Sequence, residues 1–203
     1  MPELGLFPLG VVLLPGELLP LHIFEPRYKE LIGECLEEER EFGLLLADDH
    51  GLRSTGTRAA VVEVGERFED GRLNILVRGG ERFRVLELTS GRSFQTAKVE
   101  PVLDETDYPH PAEGERVLEL YRRVAEVAGA EPDELDEDEQ LSFAVGARVD
   151  FGVELKQRLL ESTSETERLR LLAGLLETAA AALASLEERR RRAQGDGAAP
   201  LGG

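Results

Sequence analysis

Apolar positions along the first half of the chain recur with period two or as short unbroken runs, and beyond about Leu103 they recur with helical spacing. The opening run, Leu4 to Pro15, reads as a buried strand and turn. It begins after Glu3 rather than a basic segment and is too short and too Pro-broken to span a bilayer as a helix. Leu18 to Phe24 reads as a strand, and Pro26 follows where the first position of a helix tolerates a proline ring. Tyr28, Leu31, Ile32, Cys35 and Leu36 then mark one apolar stripe, which makes Cys35 a core residue rather than a nucleophile.

Phe42 to Ala47 is a continuous apolar run and so a buried strand, and Asp48-Asp49-His50-Gly51 is turn chemistry. Ala59 to Val64 and Leu73 to Val77 flank Glu69-Asp70-Gly71-Arg72, where Asp-Gly favours a tight hairpin. Further strands are expected at Arg82 to Leu88 and Phe94 to Val102. About six short strands with one helice-forming interruption imply a closed or folded-over sheet.

Periodicity breaks at Asp104 to Pro111, where acids and prolines cluster, and this is the expected boundary between lobes. Residues 1–105 form the expected β lobe, 106–193 a helical lobe and 194–203 a disordered tail. In the helical part, Val117, Leu120, Tyr121, Val124, Ala125 and Ala128 form a stripe that ends near Gly129. Glu131 to Glu139 carries seven acids in nine residues and reads as a solvated run. A helix through Leu141, Ala144, Val145 and Arg148 follows, then a short one from Val153 to Glu161. Ser164 and Glu167 have capping-box spacing, opening a last helix to about Arg192. Its seam of Leu169, Leu172, Leu176, Ala179, Leu183 and Leu186 must bury itself either on the chain's own helices or on a second copy as a homodimer.

Charge narrows the function. The 203 residues hold 41 acids against 24 bases, a net −17, spread over both halves. Such a field repels phosphate backbones and anionic lipid, so neither nucleic acid nor membrane is expected as a partner. One cysteine allows no internal disulfide, which fits a reducing, cytoplasmic setting. No G-x-x-x-x-G-K-[ST] loop holds nucleotide phosphates and no G-x-S-x-G elbow presents a serine. His22, His50 and His110 stand far apart in sequence, and Cys35 has no companion, so there is no zinc-ligand spacing. These absences lead to an expectation of no catalytic residues, no metal and no cofactor.

Leu6-Phe7-Pro8-Leu9-Gly10, Leu14-Pro15-Gly16 and Leu19-Pro20-Leu21-His22-Ile23-Phe24-Glu25-Pro26-Arg27-Tyr28 resemble the opening of the Lon protease N-terminal, substrate-binding domain family. Later pieces follow in order: Gly56-Thr57, Asp70 to Gly79, Glu81-Arg82-Phe83-Arg84, Lys156 to Glu161 and Glu167-Arg168-Leu169. The resemblance extends to about Leu176 and implies an α+β fold: a PUA-like β pseudo-barrel lobe with one helix, then an all-α lobe ending in a long helix. In full-length Lon the module precedes an ATPase and a Ser-Lys protease domain, and both are expected to be missing here because the chain ends after its last helix.

What the resemblance implies is a non-catalytic module that binds peptides or unfolded protein segments. Phe24, Glu25, Arg27 and Tyr28 are the candidate contacts, since aromatic and arginine side chains anchor interfaces. The alternative for them is structural, with Phe24 and Tyr28 packed inward while Glu25 and Arg27 brace the junction. The alternative function is an adaptor subunit acting through the terminal helix and its Arg189 to Arg192 cluster, and less favoured still is a peptidase.

Overall fold

The structure is a computed structural model that describes residues 3–135 and 140–195. The acids at 136–139 and the tail from 196 onward lie outside the described residues. The order of elements is β1 (Leu4–Leu9), β2 (Leu18–Ile23), α1 (Pro26–Glu37), β3 (Phe42–Asp48), β4 (Gly51–Leu52), β5 (Thr55–Arg67), β6 (Leu73–Thr89) and β7 (Thr96–Pro101). Helices α2 (Pro111–Val127), α3 (Leu141–Arg148), α4 (Val153–Glu161) and α5 (Glu165–Gly195) follow. The fold is α+β.

The sheet closes on itself. β1 pairs in parallel with β3 and antiparallel with β7, and β7, β6, β5 and β3 complete the circuit. Closure removes open edges from these strands. Leu4, Leu6, Leu45, Phe83, Ala97 and Val99 from β1, β3, β6 and β7 pack together on one face of the strands, and on the other face Phe7, Leu13, Ile23, Phe42, Leu44, Ile75 and Val77 form a core with Tyr28, Leu31, Ile32 and Cys35 of α1. Helical spacing places those four on one face, as the stripe requires.

Two strands expected separately, Leu73 to Val77 and Arg82 to Leu88, are one 17-residue strand, β6. Gly79-Gly80 looks like a break in sequence. In the structure Gly79 stays in the strand because the Leu14 carbonyl packs where a Cβ would stand. Strand β5 also starts earlier than its apolar run, at Thr55, because the buried Thr57 hydroxyl donates to Leu13 O at 2.5 Å. Gly51, read as the end of a turn, opens the short β4 with Leu52, and the strand expected from Phe94 begins at Thr96.

A third core joins barrel to helices: Val12, Leu14 and Leu46 pack with Val117, Leu120, Phe143, Leu159, Leu169, Leu172 and Leu176. Each such side chain contributes about 1.5–3 kcal/mol on burial. The α5 seam is thus buried within the chain from Leu169 to Leu176, while Leu186 is 54% exposed. Glu165–Leu186 is long and apolar enough to cross a membrane, but its buried leucines belong to this core. Helix α2 is capped by His110, whose Nδ1 accepts from Ala112 N–H at 3.2 Å. At the start of α5 only half of the expected capping box forms. Ser164 Oγ accepts from Glu167 N–H at 3.1 Å, whereas Ser164 N–H is met by Ser162 Oγ and the Ser164 hydroxyl donates to Asp107.

Between barrel and helices sits a charged knot. Arg168 is fully buried and donates to both oxygens of Asp104 at 2.9 and 2.7 Å, to Glu165, and to Ser162 O. Arg82, on β6, donates to Leu160 O at 2.9 Å, to Ser162 O, and to the same Asp104. Both guanidiniums lie over the Phe143 ring. Burial opposes charge on both arginines. It prevails in Arg82, which shares one carboxylate and feels Arg168, and it is outweighed in Arg168 by Asp104 and Glu165.

Burial also pushes the Asp104 carboxyl up, but hydrogen bonds from Arg168 and Gln140, with the charges of both arginines, hold it below its ordinary value. A carboxyl depressed in the folded state contributes stability above its unfolded value, and loses it as pH falls through the folded one. Asp104→Asn should therefore cost about 3 kcal/mol in urea unfolding at neutral pH, the scale of breaking a buried pair. The gap to the native chain should close as pH drops below about 4, where aspartate begins to protonate in the unfolded chain. A gap independent of pH would contradict this role.

Candidate functional site

Strand β2 stands apart from the closed circuit, because among the described residues it pairs with β6 alone. Gly79 N–H donates to Glu17 O at 2.9 Å and Leu19, Leu21 and Ile23 stand opposite Val77, Ile75 and Leu73. Bonded and non-bonded pairs alternate in an antiparallel ladder, so the odd-numbered residues bond β6, while Leu18, Pro20 and His22 turn their backbone groups to the open side. Pro20 offers only a carbonyl there, the usual place for proline in a sheet.

The side chains alternate as well. Leu19, Leu21 and Ile23 face the core shared with α1, and Leu18, Pro20 and His22 face out. Across the outer face, Leu18 stands beside Arg78, Pro20 beside Leu76, and His22 beside Asn74. On the far side of β6, a register shift between Val61 and Glu63 leaves Val62 as the extra residue of a bulge, 51% exposed. Leu18, Pro20, Leu76 and Val62 thus form an apolar outer surface beside an open strand edge.

An aromatic cluster closes one end. Phe24 leaves β2 58% exposed, with the His22 ring stacked at 6.0 Å and the Phe68 ring edge-on to His22 at 5.9 Å. Asn74 Oδ1 accepts from His22 Nδ1 at 2.6 Å, which fixes the ring. Phe68 opens the β5–β6 turn, where its N–H donates to Arg72 O and the Arg72 guanidinium lies over its ring at 5.0 Å. Gly71 makes that turn with φ of 78°, a conformation that suits glycine. Lys29 of α1 donates to Asp70 O at 2.8 Å and ties the turn to the helix. The backbone and side-chain hydrogen bonds from Arg72 outweigh burial and hold the Asp70 carboxyl below its ordinary value.

The four candidate contacts divide. Phe24 points outward. Glu25 and Arg27 pair with each other at 2.7 Å on the surface at the start of α1, where Pro26 takes the first helical turn. Tyr28 packs inward, its ring stacked on Phe7 at 3.9 Å, and burial pushes its phenol up. Its exposed neighbour is the Arg27 guanidinium, 4.6 Å above the ring. Three residues at this end were not singled out in the sequence as contacts: His22, Phe68 and Arg72. The Asp-Gly turn signal beside Phe68 was the one hint that β5 and β6 would bring them to β2.

Elsewhere, burial lifts the Cys35 thiol to about 11, as suits a core residue. His50 sits in the β3–β4 turn, its N–H on Asp48, and His110 caps α2. Among the described residues no group of three or more His, Cys, Asp and Glu side chains is placed to hold a metal.

Substitution separates the two kinds of residue. Tyr28→Ala should lower unfolding stability by about 3 kcal/mol, as loss of a buried ring does, while Phe24→Ala should stay within about 0.5 kcal/mol, as exposed changes do. Urea titration of both variants checks this; equal losses would contradict the outward placement of Phe24.

The family model for the ATP-dependent protease La (LON) substrate-binding domain matches residues 3–178. A Lon protease of Paraburkholderia phytofirmans is 29% identical over 79% of this chain, and a cereblon of Gallus gallus is 31% identical over 56% of it. The chain spans 22% of that Lon protease and the match spans 26% of the cereblon. Among solved structures, a Lon N-terminal domain protein from Xanthomonas campestris superposes with a TM-score of 0.69 at 25% identity, covering 86% of this chain and 98% of the other. The N-terminal domain of a Mycobacterium avium complex Lon protease shares the fold, with a TM-score of 0.67 at 19% identity over 87% of this chain and 98% of that one.

Proposed function

Because the chain belongs to the Lon substrate-binding domain family, we propose that it captures extended polypeptide segments along β2 and carries out no chemistry on them. The observation that supports this reading is the open edge of β2, with Leu18, Pro20, His22 and Phe24 turned outward beside it. An extended segment laid there gains backbone hydrogen bonds from Leu18 and His22 and from the Pro20 carbonyl, and its alternate side chains rest on the apolar surface. Phe24, with His22 and Phe68, offers an aromatic end-stop. Glu25 and Arg27 border that end at the start of α1, and Tyr28 supports Arg27 from beneath.

The surface suits recruitment rather than turnover. Its polar groups are a histidine fixed by Asn74, the Arg78 guanidinium and ion pairs on the rim, and among the described residues there no nucleophile stands beside a base. The bound segment is handed on unchanged, and the cytoplasm is the compartment that this role and the single buried cysteine suit.

A peptide of roughly ten residues alternating valine and serine is long enough to lie along β2. In fluorescence anisotropy, Leu18→Asp and Phe24→Asp should each weaken its binding by about tenfold, the loss of an anchor contact. Mass spectrometry should recover the peptide uncleaved, with or without ATP. Binding indifferent to both substitutions would overturn the reading, as would cleavage.

A further inference from the structure

Strand β2 leaves β6 at Arg78 and β7 joins it at Phe83, so between those residues no described strand pairs with that side of β6. Along the gap Gly80 and Glu81 stand opposite Arg58 alone, a bulge in the pairing with β5. Two loops border it: Gly16 N–H donates to Gly79 O at 2.8 Å, and Val102 N–H donates to Arg82 O at 3.0 Å. They enclose a cavity of about 510 Å³, with the buried Phe143 of α3 on one wall and Leu103, 76% exposed, on another. That volume is within the range of small-molecule sites.

Arg82 sets what fits. It is 6% exposed and lines the cavity. Of its five N–H groups, the two on Nη1 reach Leu160 O and Ser162 O and one on Nη2 reaches Asp104. Among the described residues nothing accepts from the Nε–H or from the second Nη2–H. A buried donor left unmet is costly, so the site calls for an acceptor. Asp104 has none to spare and needs no donor: it already accepts from Arg82, from Gln140 and twice from Arg168, which fills its lone pairs. In charge, Arg82 and Arg168 balance Asp104 and Glu165. Glu81 also lines the cavity, exposed and without an ion pair among the described residues. An anion therefore meets Glu81 and the molecule's net −17, and a cation meets Arg82.

We propose that this cavity binds a neutral, apolar small molecule whose carbonyl oxygen accepts from Arg82, with its hydrocarbon part against Pro15, Val102, Leu103 and Phe143. Such a ligand touches β6, the segment after β7 and α3 together, so its binding ties the barrel to the helices. The site is independent of the β2 edge.

The test uses the full chain and three probes that share a cyclohexyl ring and differ in the head group: N,N-dimethylcyclohexanecarboxamide, which accepts without donating, cyclohexanecarboxylate and cyclohexylmethylammonium. In a nitrogen-15 NMR titration near neutral pH, the amide should shift the Arg82 Nε–H signal and the Gly16 and Gly80 backbone N–H signals. It should bind about fivefold more tightly than either charged probe. Arg82→Lys keeps the charge and removes the Nε–H, and should weaken the amide by about tenfold. Leu103→Asp, an exposed change, should weaken it by about fivefold, while Phe24→Asp on the β2 edge should leave it within about twofold. Circular dichroism checks the fold of each variant; should Arg82→Lys not fold, the Nε–H signal of the native chain decides alone.

A charged probe that binds as tightly as the amide would overturn the preference for a neutral ligand. Amide binding that leaves the Arg82 Nε–H signal in place would overturn the role of that guanidinium. If no probe moves Gly16 and Gly80 at ~10 mM, ample for a ligand of this size, the cavity is not a site. Loss of amide binding in Phe24→Asp would place the probe on the β2 edge instead and likewise sink the proposal.

Discussion

The structure turns on one carboxylate. Asp104 lies just past the last strand and is gripped by Arg82 from β6 and by Arg168 from α5. Arg168 is fully buried, and a buried guanidinium is tolerated only when its donors are met. They are met here by Asp104, Glu165, Ser142 and the Ser162 carbonyl. The knot fixes the end of the barrel, the start of α5 and the turn before it as one unit. The apolar core of Leu14, Leu46, Phe143, Leu159 and Leu172 is packed alongside. Because Arg82 belongs to the same unbroken strand that pairs with β2, the knot and the open edge share a backbone.

That continuity explains how an exposed edge persists in a folded protein. Open strand edges invite uncontrolled pairing, and folded proteins blunt them with proline, charge or bulges. Strand β2 uses proline at its centre, and the adjoining face has a bulge at Val62 and the free charge of Arg78. Each device lowers the gain for a flat, hydrophobic strand without removing the donors and acceptors at Leu18 and His22. The result is an edge that keeps open donors and acceptors yet resists flat strand pairing, as the proposed capture of short extended segments requires. The aromatic cluster gives it a definite end, since Phe24 is held against His22, and His22 is held by Asn74.

Much of this was legible in the sequence. The i, i+3, i+4 stripe of α1, the short helix from Val153 to Glu161 and the hairpin at Asp70-Gly71 follow from local spacing, and they stand where that spacing puts them. Strand limits were less legible. Gly79-Gly80 breaks the apolar pattern of β6 without breaking the strand, because the need for glycine comes from Leu14, which approaches from a distant part of the chain. The charged knot was invisible for the same reason: Arg82, Asp104 and Arg168 look like ordinary surface charges until three elements converge. Phe24 and Tyr28, four residues apart, could not be told apart as outward and inward by residue type. The exit of the chain from β2 into α1 decides that.

Amide hydrogen exchange of β2, with and without an extended apolar peptide, tests the central claim most directly. The backbone N–H groups of Leu18 and His22 face the open side and should exchange readily in the free protein, then become protected when the peptide is bound. Protection confined to other elements, with Leu18 and His22 exchanging as before, would show that polypeptide does not bind along this edge.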